Sequence, residues 1–158
     1  MLKNILLGDT CAECRICCVF DKYDIWETPI ITSNLKSKIN KDYPHVDFIS
    51  KGDSYLFRMS EDIDELYYCP MLDKKTGCKL GDDKPFDCRI WPYRIMKFGE
   101  KRVISIASIC PSLYQKPLSM LVDELEKNGL AQIIFEYADK NPDIVKEYQK
   151  GYPILFTE

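Results

Sequence analysis

Four cysteines fall within eight residues near the start of the chain, Cys11-Ala-Glu-Cys14-Arg-Ile-Cys17-Cys18, a density that no ordinary hydrophobic core asks for. A C-x2-C interval sets two sulfurs on one tight turn, which lets thiolates converge on a metal without backbone strain. Here the interval is repeated through Cys11, Cys14 and Cys17, the first three places of the bacterial ferredoxin run C-x2-C-x2-C-x3-C-P. The fourth place of that run is not cysteine, since residue 21 is Asp21. Cys18 instead follows Cys17 at once. Neighbouring side chains leave the backbone in different directions, so these two are expected to serve two centres, or one centre and a second role. Cys69, Cys78, Cys88 and Cys110 bring the total to eight, and Cys69-Pro70 and Cys110-Pro111 are Cys-Pro pairs. Eight thiols match two four-cysteine sites, but the number alone does not require two.

An even number of cysteines also permits disulfides, which persist in oxidising compartments and staple domains too small for a core. The apolar run Ile5-Leu6-Leu7 is too short for a secretory core segment, and no stretch approaches the roughly 18–20 apolar residues of a membrane helix. A cytoplasmic protein with reduced, metal-binding thiols is therefore expected. Zinc and iron–sulfur clusters both accept four thiolates. Zinc sites more often show paired C-x2-C knuckles or histidine. This chain has no second C-x2-C, and its one histidine, His45, sits beside Pro44 and reads as a surface residue. The expectation is an iron–sulfur centre, 4Fe–4S foremost, with zinc as the alternative. Arg89, directly after Cys88, is a candidate to offset thiolate charge or donate hydrogen bonds to sulfur. Its other expected use is to bind a backbone carbonyl or a carboxylate such as that of Asp87.

Between and after the cysteines the pattern is that of an ordinary α+β chain. Thr32 or Ser33 is expected to cap a short helix through Ile39, with Leu35 and Ile39 on one face. Residues 45–57 read as short strands around Lys51-Gly52-Asp53. Tyr93–Phe98 and Arg102–Ile109 flank Gly99-Glu100 as a hairpin that would return Cys110 towards Cys88. Pro117 opens a helix with the stripe Leu118, Leu121, Val122 and Leu125. Gly129 separates it from a segment with Ile133, Ile134 and Tyr137, and Asn141-Pro142-Asp143 is expected to start a last helix. The expected organisation is a single small α+β domain. A loop- and hairpin-rich metal-binding part would span 1–115, with a helical extension over 116–158 packed on it. Trp26, Trp91 and Tyr93 are expected to wall the centre, or simply to fill the core.

The ordered pattern Cys11-x2-Cys14-x2-Cys17-Cys18, Cys69-Pro70-x-Leu72, Gly77-Cys78, Pro85-x2-Cys88-Arg89-x2-Pro92 and Cys110-Pro111 resembles the YkgJ-type cysteine-cluster proteins. That family is described as a zinc- or iron-chelating domain and is often labelled iron–sulfur-containing. The resemblance spans roughly residues 10–112 and implies that Cys11, Cys14, Cys17, Cys18, Cys69, Cys78, Cys88 and Cys110 are metal ligands. Members commonly carry glycine between the second and third cysteines, where this chain has Arg15-Ile16, and glycine after the last Cys-Pro, where it has Ser112. Glycine at such places eases a close backbone approach.

A net charge of −3 argues against a nucleic-acid partner, which needs a basic face, and against electrostatic attachment to a membrane. With a single histidine, a Cys-His nucleophile has little to be built from. Only seven glycines occur, and none form a phosphate-cradling loop. Catalytic residues are therefore not assigned. The expected role is a redox or electron-transfer accessory with a protein redox partner, or, if an enzyme, an iron–sulfur oxidoreductase. The alternative is a non-catalytic zinc module whose helices bind a partner.

Overall fold

Turn chemistry sets the local structure of the first part of the chain. In the computed structural model, which describes Leu2 and residues 13–22, 25–61, 65–114 and 116–158, Gly52 takes φ 55° and turns strand β3 (Phe48–Lys51) into β4 (Ser54–Phe57). Two shorter strands, β1 (Val19–Phe20) and β2 (Ile30–Ile31), precede them, and β2 pairs antiparallel with β4 to give the sheet order β2-β4-β3. Helix α1 (Ser33–Asp42) begins where Thr32 Oγ1 accepts the Leu35 N–H at 3.4 Å. The capping expected from sequence is thus present, and the helix runs three residues past Ile39. Two small sheets follow. β5 (Ser60–Glu61) and β1 flank β6 (Tyr67–Tyr68), and β7 (Leu72–Asp73) pairs with β8 (Gly77–Cys78). Ile31, Ile39, Val46, Phe57 and Met71 form the buried core of this region. Helix α2 (Phe86–Ile90) closes it, and the buried Asp87 carboxylate accepts the Ile30 N–H at 2.8 Å, tying α2 to β2.

The remainder is a longer-stranded sheet with helices. β9 (Tyr93–Phe98) and β10 (Lys101–Ile106) form the expected hairpin, with Gly99 at φ 61° in its turn, but β10 ends three residues before Ile109. Their register puts Tyr93, Ile95, Ile104 and Ile106 on one face and Arg94, Met96, Val103 and Ser105 on the other. Both sets are buried. Helices α3 (Leu118–Glu126) and α4 (Leu130–Lys140) follow, separated by Gly129 at φ 73°. The Tyr93 hydroxyl donates to the Leu121 carbonyl at 2.9 Å, so α3 lies on the Tyr93 face. In α3 the buried residues are Leu121, Glu124 and Leu125, while Leu118 is exposed. In α4 Ile134 is buried and Ile133 exposed, because Leu130, Ala131, Phe135 and Ala138 complete the inward face.

The last helix expected from Asn141-Pro142-Asp143 does not form. Pro142–Ile144 makes one 3-10 turn, and the chain then gives β11 (Lys146–Glu147) and β12 (Ile154–Thr157), which complete the sheet order β11-β9-β10-β12. The open edges of the hairpin explain the outcome. β12 supplies hydrogen-bond partners to β10 and β11 supplies them to β9, which an additional helix would leave unpaired. Arg102 of β10 reinforces the edge by donating to Asp139 of α4 at 2.7 Å and to the Glu158 carboxylate. The fold is α+β with helices in its C-terminal part. The chain divides into two units at Arg89/Ile90, Leu7–Arg89 and Ile90–Glu158, the latter including Leu2. The hairpin thus belongs to the same unit as the C-terminal helices. No helix among the described residues is long and apolar enough to cross a membrane.

Candidate metal centre

Strand pairing in the first unit gathers cysteines from separate parts of the chain. Val19 and Phe20 of β1 pair antiparallel with Tyr68 and Tyr67 of β6. Continuing that ladder by one residue sets Cys18 opposite Cys69, and the Cys69 N–H donates to the Cys18 carbonyl at 2.9 Å. Cys17 and Cys18 end a 3-10 turn, Ile16–Cys18, whose Cys18 N–H donates to the Arg15 carbonyl at 2.9 Å. Arg15 enters this turn at φ 58°, ψ 3°, the left-handed region that glycine occupies without strain. On the other side of Cys69, the Leu72 N–H donates to the Cys69 carbonyl and the Lys79 N–H to the Met71 carbonyl, each at 2.9 Å. These bonds fold the β7–β8 pair back and place Cys78 beside the same region.

Cys69 and Cys78 pack against the Ile31–Met71 hydrophobic core. Burial pushes the Cys69 thiol up to about 12, because a thiolate there loses its water. Backbone N–H groups of Met71 and Leu72 work against this shift, while the nearby thiols of Cys78 and Cys17 add to it by charge repulsion. Cys17, Cys69 and Cys78 thus share one electrostatic neighbourhood. Such a group ionises readily only when a cation compensates it.

The other expected ligands are placed differently. Cys14 is exposed. Cys88 lies on α2, where the N–H groups of Cys88 and Arg89 both donate to the Pro85 carbonyl at 3.0 Å. Arg89 is exposed at the end of that helix. Cys110 is buried in the second unit, at the start of a 3-10 turn, Pro111–Leu113. Cys11 lies outside the described residues. No disulfide joins any of the seven described cysteines. Among the described residues, no three side chains of His, Cys, Asp or Glu stand together closely enough to hold a metal ion. The donor set fits a thiophilic metal in kind, being all sulfur. The structure brings Cys17, Cys18, Cys69 and Cys78 into one neighbourhood of the first unit without assembling them into a coordination shell.

Of the aromatic side chains expected around the centre, Trp26 is half-buried in the first unit. Tyr93 belongs to the helix-facing side of the second unit's sheet, and Trp91 lies under the Arg94 guanidinium, 4.4 Å from its ring centre. Core packing accounts for both. Sequence reasoning did not find the β1–β6 pairing that joins Cys18 to Cys69. Its signal was there in Val19-Phe20, just after one cysteine pair, and Tyr67-Tyr68, just before Cys69. Both are β-favouring pairs too short to register as strands on their own. Comparison of the chain with protein-family models, with curated proteins and with solved structures finds no match.

Proposed function

We propose that this protein is a metal-binding protein whose thiolates hold an iron–sulfur centre, acting as a redox or electron-transfer accessory. The observation that carries the reading is the meeting of three distant cysteine segments in one unit. Cys69 is bonded through its backbone to Cys18, and its thiol is influenced by both Cys78 and Cys17. The Cys11-x2-Cys14-x2-Cys17 interval and the resemblance to the YkgJ-type proteins support the same reading. Cys17, Cys18, Cys69 and Cys78 are the first residues to which ligation is assigned. Cys14 and Cys88, from the same unit, and Cys11 and Cys110 complete the candidate set. The cluster would supply a one-electron couple, and the protein's part is to keep sulfur ligands against an apolar core where water is scarce.

Protein purified without oxygen should be brown, absorb broadly near roughly 400 nm and release acid-labile sulfide. Cys69→Ser should lower bound iron by more than about half while Cys14→Ser, at an exposed position, lowers it less. Colourless protein with stoichiometric zinc and no sulfide would replace the redox reading with a structural zinc module. Protein that binds neither metal would end the metal reading altogether.

A further inference from the structure

A cleft of about 290 Å³ opens in the first unit, lined by His45, Val46, Asp47, Arg58, Met59 and Pro70. Its size is at the lower end for small-molecule sites, enough for a metabolite of few atoms. The position of its charged groups follows from the β3–β4 hairpin. Phe48 and Phe57 are directly paired at the open end of that hairpin, with ring centres 5.5 Å apart. One residue further out, the Arg58 N–H donates to the Asp47 carbonyl at 2.9 Å. Asp47 and Arg58 are therefore opposed across the two arms of the hairpin, one place beyond the phenylalanine pair. Directly opposed side chains begin about 5 Å apart.

We propose that this cleft binds a free α-amino acid with an uncharged side chain. Its carboxylate would be taken by Arg58 and its ammonium group by Asp47. The match is one of charge and spacing. An α-amino acid carries both charges on one carbon, and Arg58 and Asp47 present the complementary pair from adjacent points. Among the described residues, neither side chain is engaged in an ion pair with the other. A guanidinium presents two parallel N–H donors to a carboxylate, which a simple cation cannot do. Val46 and Met59 provide apolar wall for the side chain, and Pro70 places the cleft next to Cys69 in the chain. Asp47 and Arg58 are both exposed, so a simple carboxylic acid or a simple amine makes one ion pair here where an amino acid makes two. The molecule that carries both charges is therefore favoured by the second pair alone.

The site does not depend on the metal reading, and binding is measured without it. Titration calorimetry of the purified full chain against leucine, methionine, alanine, propionate and propylamine, with bound metal quantified beforehand, separates the possibilities. At least one amino acid should bind, and propionate and propylamine should each bind at least about tenfold more weakly. Arg58→Gln and Asp47→Asn should each weaken the amino acid by about tenfold or more while bound metal and the thermal midpoint stay unchanged. Absence of heat for every amino acid up to millimolar concentration overturns the proposal. So does propionate binding as tightly as the amino acids, which would make this a plain anion site. Binding that neither substitution alters places the ligand elsewhere and overturns it equally.

Discussion

The two units of this chain differ in how much regular structure they carry. In Ile90–Glu158 the central strands are six residues long, both faces of the hairpin are buried, and two helices of nine and eleven residues accompany the sheet. Among the described residues of Leu7–Arg89 no strand exceeds four residues, and six of eight have only two. Two-residue strands are not stable by themselves, since isolated short pairs barely offset the entropy of ordering them. A cluster of five buried residues lies in the first unit, and the Cys69 and Cys78 thiols pack against it. The comparison teaches that the second unit has the material of an ordinary core, whereas the first is short of regular structure where its cysteines gather. On the proposed reading, a bound metal would supply folding energy there that local structure does not.

The largest expected effect tests that difference directly. Removing the metal from purified protein with a strong chelator should abolish hydrogen-exchange protection at the Cys69 and Lys79 amides, which hold β1, β6, β7 and β8 together. Protection at Ile95 and Ile104 in the hairpin should persist. Structural metal sites contribute several kcal/mol or more, on the order of 10 kcal/mol in small zinc domains. Loss of protection in both units at once, or in neither, breaks the comparison.

A core truncation probes the second unit in the complementary direction. Ile134 is fully buried on α4. Ile134→Ala removes three carbons from a packed interior and should cost about 3 kcal/mol in urea denaturation. Bound metal per chain should be unchanged in the folded protein. A parallel fall in metal content would show that the thiol region draws its order from the helices.

Within the first unit, Asp87 joins α2 to β2 through the Ile30 N–H, and its carboxylate is buried. Asp87→Ala leaves that N–H without its acceptor in a water-poor place, at a cost of about 2 kcal/mol. The effect should be larger in metal-free than in metal-loaded protein, because metal and hydrogen bond hold overlapping parts of one small unit. Equal losses in both forms would mean that the metal does not brace this region.

How far the sequence discloses these features depends on the range of the interaction. The Thr32 cap, the turn at Gly52 and the hairpin across Gly99-Glu100 are encoded within a few residues and are legible from them. The hairpin's partners β11 and β12 are not. β11, Lys146-Glu147, carries no β-pattern, and β12, Ile154-Leu155-Phe156-Thr157, is β-favouring but does not by itself say which edge it joins; both become strands because β9 and β10 offer open edges. Likewise, the cysteine intervals are local, but the grouping of Cys18 with Cys69 rests on Val19-Phe20 finding Tyr67-Tyr68 almost fifty residues away. The 290 Å³ cleft depends on a still subtler feature, the outward continuation of the β3–β4 register to Asp47 and Arg58.

The smallest expected effect concerns Arg15, and here local sequence and backbone disagree. The turn that delivers Cys17 and Cys18 begins with Arg15 at φ 58°, and the Arg15 carbonyl accepts the Cys18 N–H. A side chain with a β-carbon is strained in this region, and a β-branched one more so. Arg15→Val should therefore destabilise the first unit by about 1–2 kcal/mol. Arg15→Gly should remain within about 0.5 kcal/mol of the parent, because relief of strain offsets both the lost arginine interactions and the greater freedom of the unfolded chain. Urea titrations of the two variants, read through exchange at the Cys69 amide, distinguish the cases. If glycine proves as damaging as valine, the arginine side chain itself holds the turn, and the left-handed backbone is not what limits this position.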